Sequence, residues 1–257
     1  MRRAILDIGP RGGFERIWDY RRSFWSAWVL GWVVLSAAGC AGLEPRANTE
    51  QRAAAEANAE LGMSYLQQGD LTAARRSLER ALAFENENPN ALLGLAALEE
   101  VEGNTAESVQ LYRRVLARES ANPFALTNLG DLLCRQGETT EALGLLNRGV
   151  AASTADTRDV TQLNLALCQI KTGDLQPAET SLRQVLLRDR DNPRALMGLA
   201  ELSLRKGEPL QTRAFLSRLD SLGVESRRSL ELCVEAERAL NNPQRARDCE
   251  MRRLGRS

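Results

Sequence analysis

Five cysteines, Cys40, Cys134, Cys168, Cys233 and Cys249, are the residues of this chain best equipped for covalent chemistry. A thiol can be acylated, oxidised to a disulfide or made a metal ligand. Histidine is absent from all 257 residues, which removes the commonest metal ligand and the side chain most used for proton transfer near neutral pH. No CxxC pair is present either, so neither a metal site nor a cofactor is expected. No nucleophile stands beside a base, no carboxylate pair is marked out, and no glycine loop could cradle a phosphate; the chain reads as a non-enzyme without a small-molecule substrate. Its 34 acidic and 34 basic residues cancel, leaving no electrostatic footprint for nucleic acid.

The surroundings of Cys40 determine its chemistry. Six arginines precede a charge-free run from Phe24 to Gly39 that includes Trp25, Trp28, Val29, Leu30, Trp32, Val33, Val34 and Leu35. A spanning helix needs roughly 20 apolar residues, so this run is short for a permanent anchor and suits an export signal. It ends in Ala37-Ala38-Gly39-Cys40, which resembles the lipobox of bacterial lipoproteins. In that family the cysteine is acylated and becomes the new N-terminus. Ala37 stands where the family most often has Leu, and Leu35 lies two residues earlier; an ordinary secretory signal with an incidental cysteine is the other reading. Ala41, which is not Asp, implies by the same resemblance sorting to the outer membrane. Residues 1–39 are then a signal peptide, and residues 40–52, with Gly42 and Pro45, a polar lipidated tether.

Beyond residue 52 the chain repeats. Asn-Pro recurs at Asn88-Pro89, Asn122-Pro123 and Asn192-Pro193. Units follow at 55–88, 89–122, 123–158, 159–192, 193–226 and 227–253, with one two-residue insertion near Asp156–Arg158. Position 15 of each unit reads Gly69, Gly103, Gly137, Gly173, Gly207 and Asn241, the residue types that end helices in the left-handed region. Position 8 is small in most units (Gly62, Ala96, Gly130, Ala166, Ala200), and position 24 is large (Leu78, Tyr112, Leu146, Leu182, Leu216). Small against large lets two antiparallel helices approach closely. These residues resemble the 34-residue tetratricopeptide repeat. The resemblance implies an all-α, right-handed superhelical solenoid of about six helical hairpins over residues 53–253. Each hairpin buries its apolar face only by stacking on a neighbour. The last unit, with Glu250 and Arg253 at core positions, reads as a polar cap.

Cys134 and Cys168 fall on first helices of adjacent units, and Cys233 and Cys249 on the two helices of one hairpin. An exported protein meets an oxidising compartment, so each pair is either a disulfide or two buried thiols. In the repeat fold, first-helix positions 2, 5, 6, 9, 12 and 13 line the concave face. Here they include Phe124, Thr127, Asn128, Asp131 and Arg135 of the third unit and Leu163, Asn164, Leu167 and Lys171 of the fourth. Asn128 and Asn164 are the expected partners for the backbone of an extended peptide.

The stretches Asn122-Pro123-Phe124-Ala125-Leu126-Thr127-Asn128-Leu129-Gly130 and Asn164-Leu165-Ala166-Leu167-Cys168 resemble the pilotin lipoproteins of type IV pilus biogenesis, PilF and PilW. That resemblance implies a periplasm-facing outer-membrane lipoprotein that takes a secretin subunit to the outer membrane and promotes its multimerisation. A lipoprotein adaptor for cell-wall or envelope-assembly enzymes is the alternative, and a cytoplasmic co-chaperone would require the first forty residues to be retained. All four tryptophans lie at or before Trp32. The processed chain is therefore expected to lack tryptophan emission and to show an intact mass starting at acylated Cys40; a tryptophan-fluorescent purified protein would contradict the processing.

Overall fold

A computed structural model describes residues 44–255, so Cys40 and the segment read as an export signal lie outside the described residues. The described chain is all helix: α1 (Glu44–Gln68), α2 (Leu71–Phe84), α3 (Pro89–Glu102), α4 (Thr105–Arg118), α5 (Pro123–Gln136), α6 (Thr139–Ala152), α7 (Ala155–Thr172), α8 (Leu175–Arg188), α9 (Pro193–Arg205), α10 (Pro209–Ser221), α11 (Arg227–Ala239) and α12 (Pro243–Arg253). Consecutive helices pair as six antiparallel hairpins, α1 with α2 through α11 with α12, and each hairpin packs on the next.

The punctuation read from the sequence has a visible mechanism. Asn88, Asn122 and Asn192 take extended backbone angles, accept the amide of the third following residue through Oδ1, and are each followed by proline. That satisfies one free amide of the first turn, while proline removes another that would have no partner. At the other end Gly137 closes α5 with φ 91°, and Asn241 takes the same role before α12 with φ 53°. Asn is the side chain that tolerates this region best after Gly.

One boundary differs from expectation. The segment read as a tether is helical from Glu44 onward, although side chains before Asn48 are not described. Pro45 sits in the first turn, where its missing N–H costs little, and the run Glu50-Gln51-Arg52-Ala53-Ala54-Ala55-Glu56-Ala57 is rich in strong helix formers. Helix α1 therefore extends beyond the first repeat as an arm.

The core is a row of contacts between small and large residues. Leu78, Tyr112, Leu146 and Leu182 are fully buried, Leu78 and Leu146 close against Gly62 and Gly130 of the partner helix. A Cβ added at Gly130 would lie 2.7 Å from Leu146 Cγ. Polar ties repeat along the stack as well. Arg114 donates to the Asn86 carbonyl at 3.1 Å and to Glu87 at 2.7 Å, Arg148 to the Ser120 carbonyl at 2.7 Å, and Arg218 to the Arg190 carbonyl. These arginines occupy one position of their units and reach back to carbonyls in the turn just past the preceding hairpin. In the fourth unit Gln184 stands there and binds Gln162 instead at 3.0 Å.

Gly130→Val should lower stability by about 1–3 kcal/mol through overpacking against Leu146, seen as a lower denaturation midpoint with unchanged helical circular dichroism before the transition.

Candidate protein-binding face

The first helix of each hairpin leaves one stripe unpacked. In α5 it carries exposed Phe124 and Arg135 with half-buried Asp131 between them; in α7 exposed Val160 and Lys171 with half-buried Leu167; in α9 exposed Arg194 and Arg205 with half-buried Glu201. Positions 2, 9 and 13 of a repeat recur every two and then one turn, so they share one side of a helix. Because α5, α7 and α9 pack side by side, the stripes form one continuous face.

Phe124, at 54% exposure, Asp131, Arg135, Leu167 and Lys171 belong to this face as the sequence indicates. Three others do not line an open groove. Thr127, Leu163 and Asn164 are buried, at 5%, 3% and 7% exposure, because positions 5 and 6 turn into the seam between neighbouring first helices. Thr127 Oγ1 donates to the Pro123 carbonyl at 2.7 Å and meets Thr161 Oγ1 at 2.8 Å. Ser153 Oγ donates to the Gly149 carbonyl at 2.7 Å and meets Thr161 Oγ1 at 3.1 Å. This buried hydroxyl cluster sits where the two extra residues enter between the third and fourth hairpins. Leu163 belongs to the apolar core around Leu182 and Leu199. Asn164 Oδ1 accepts from Arg194 Nη2 at 2.9 Å, so its amide oxygen already has a partner.

Asn128 is half-buried beside the Tyr112 hydroxyl. Tyr112 donates to Glu100 Oε1 at 2.8 Å. Burial first, then the charge of Glu100 and that hydrogen bond, hold the Tyr112 phenol well above the usual tyrosine range, with Asn128 and Arg135 partly offsetting them. Asn164 is thus buried with its amide oxygen engaged, and Asn128 is half-buried.

Sequence reasoning passed over two members of the face, Val160, at 48% exposure, and Arg194. Both stand at position 2, the position that singled out Phe124, so the repeat register was signal enough. It named Arg135 and Lys171 but not Arg205, which completes their row at position 13. Arg135 donates to Glu100, Lys171 Nζ to the Cys134 carbonyl at 3.4 Å, and Arg205 Nη1 to the Ile170 carbonyl at 2.7 Å. Each cation thereby rests near the C-terminal end of the preceding first helix, where the helix dipole favours positive charge.

Both cysteine pairs are bonded. Cys134–Cys168 ties α5 to α7 with the Cα atoms 5.8 Å apart, and Cys233–Cys249 ties α11 to α12 at 6.1 Å. The second bridge lines a cavity of about 180 Å³ together with Arg213, Glu237 and Arg245. Glu237 is buried and receives Arg213 Nε at 2.7 Å, with Arg245 Nε at 3.5 Å. Among the described residues no cluster of His, Cys, Asp and Glu could hold a metal ion, and no helix is long and apolar enough to cross a membrane.

Models of the tetratricopeptide repeat match residues 59–123 and 163–220, and a second model of the same repeat matches 101–163. The chain belongs to the tetratricopeptide-repeat family. It is similar in structure to Pseudomonas aeruginosa PilF, with a TM-score of 0.70 and 24% identity over 80% of this chain and 93% of that one. It is also similar to PilW, a widely conserved type IV pilus biogenesis factor, with a TM-score of 0.71 and 24% identity over 77% and 91%. A tetratricopeptide-repeat protein from Parabacteroides merdae follows, with a TM-score of 0.63 and 21% identity over 79% and 80%. No curated protein sequence matches it.

A Cys134→Ser/Cys168→Ser double variant opens a tie spanning 34 positions and should lose about 3–4 kcal/mol through added unfolded-state entropy. Denaturant titration under non-reducing conditions measures this, and an unchanged midpoint would argue that the bridge contributes nothing.

Proposed function

We propose that this protein is an outer-membrane lipoprotein scaffold of the pilotin kind, which holds a secretin subunit on its solenoid and promotes the subunit's localisation and multimerisation in type IV pilus biogenesis. The observation that carries this reading is a conjunction. The solenoid is similar along nearly the whole length of PilF and PilW, and it follows a cysteine placed directly after an apolar, charge-free run. A repeat solenoid offers a surface and no reaction, so function lies in what docks on it and where it is held. The covalent lipid on Cys40 supplies the address and no further cofactor is needed.

Cys40 stands four residues ahead of α1, a span of at most about 14 Å of extended chain. The helical arm then sets the first repeat some distance from the lipid headgroups, and the binding face in the middle hairpins further still. A single acyl group binds a membrane only reversibly, whereas the several chains of a bacterial lipoprotein anchor it stably. Lipid and solenoid must therefore act in one molecule.

The decisive experiment is Cys40→Ser in the native cell. The variant should fold, with the same helical circular dichroism, yet leave the secretin monomeric or misplaced in fractionated envelopes. Normal secretin multimers at the outer membrane in that strain would refute the mechanism. Affinity capture from solubilised envelopes of the unaltered protein should recover the secretin; recovery of cell-wall enzymes without secretin would favour an envelope-enzyme adaptor.

A further inference from the structure

We infer that the edge of the binding face formed by Phe124, Val160 and Arg194 takes a partner peptide in the extended left-handed helix of three residues per turn. Its two apolar side chains and one carboxylate would be spaced at i, i+3 and i+6. This rests on the docking role proposed above and names the chemistry of the segment that docks.

The three residues occupy one position of successive repeats, on α5, α7 and α9. The Thr127–Thr161 contact at 2.8 Å and the Arg194–Asn164 hydrogen bond at 2.9 Å fix the N-terminal halves of those helices against one another. Phe124 and Val160 are 54% and 48% exposed. Single exposed apolar residues are ordinary, but two at the same register on neighbouring helices make a patch. Among the described residues Arg194 meets the neutral Asn164 and stands in no ion pair, unlike Arg205, paired with Glu201, and Arg228, paired with Glu201 and Glu231. Its charge is held in place and left for a partner. Beyond these three the row is already occupied: Asn90 donates to Glu56 on one flank, and Arg228 is engaged on the other.

Spacing selects the conformation. Packed helices lie about 8–10 Å apart, so three side chains that each meet one helix must recur at that interval. The three-residue left-handed helix advances about 9 Å per turn and presents i, i+3 and i+6 on one side. A β-strand returns a side chain to the same face every ~7 Å, and an α-helix at ~5.4 Å and again at ~10.5 Å, on either side of that interval. The extended left-handed form also has little conformational freedom to lose on binding.

The probes are fluorescein-labelled Leu-Pro-Pro-Leu-Pro-Pro-Glu and its reversed order, with anisotropy read on the full processed chain. One order should bind saturably. Replacing its Glu by Lys should weaken it about tenfold, since like charge would face Arg194, and a Leu-Pro-Leu-Pro-Glu probe with two-residue spacing should bind less well. Arg194→Glu, with circular dichroism confirming the fold, should reverse the preference so that the Lys peptide binds better. Phe124→Ser and Val160→Ser should each weaken both peptides. The inference is overturned if neither order binds, if two-residue spacing binds as well, or if Arg194→Glu leaves the preference unchanged. In each case normal capture of the secretin by the same protein would leave the broader proposal standing.

Discussion

Every feature of this molecule follows from the inability of a two-helix hairpin to bury its apolar side alone. An isolated pair of 14-residue helices, the length of α3 and α4, would leave its leucines in water and would be marginal even as helix. Stacking solves this only if backbones approach closely, which is why Gly or Ala faces Leu or Tyr along most of the array. At Gly62 and Gly130 the approach leaves no room for even one carbon, with Leu78 and Leu146 at 2.6 and 2.7 Å from the added atom. Once the hairpins are stacked, each first helix has spent two of its sides on packing. The remaining side is left to solvent in register with its neighbours, so the binding face is a by-product of the core.

Polar groups then fix the stack laterally. Buried hydroxyls at Thr127, Ser153 and Thr161 satisfy one another and nearby carbonyls where the repeat length changes, in a place where unpartnered groups would be costly. Arginines from one hairpin bind carbonyls in the turn just past the hairpin before. Such exposed bonds are individually weak, but their recurrence fixes the angle at which each unit meets the next.

Much of this was legible in the sequence, because turn residues and residue sizes are carried by side-chain type at a fixed interval. The Asn-Pro starts, the Gly stops and the neighbouring of the cysteines in two pairs followed from register, whereas their bonding did not. What register could not give was the gap between adjacent helices. Thr127, Leu163 and Asn164 stand at positions that face the groove in the general repeat, yet neighbouring first helices lie close enough to cover them. The position-26 arginines, Arg80, Arg114, Arg148, Arg218 and Arg252, recur visibly in the sequence. Their significance was hidden because three of them grip a backbone carbonyl, an acceptor without a sequence signature. The helical start at Glu44 was obscured by Gly42 and Pro45, which read as linker until the alanine-rich run behind them is given its weight.

The bridge between α5 and α7 has a mechanical side. A linear array opens from its ends, where a hairpin has one neighbour instead of two. Fraying that begins with the crosslinked last hairpin as a pair, or at the arm of α1, can progress unit by unit, but the Cys134–Cys168 crosslink prevents the third and fourth hairpins from parting. Under a pull along the long axis, or in the presence of a protease, the molecule should therefore shorten from its tips while its middle stays whole, keeping Phe124 and Val160 in alignment after the outer units have come loose.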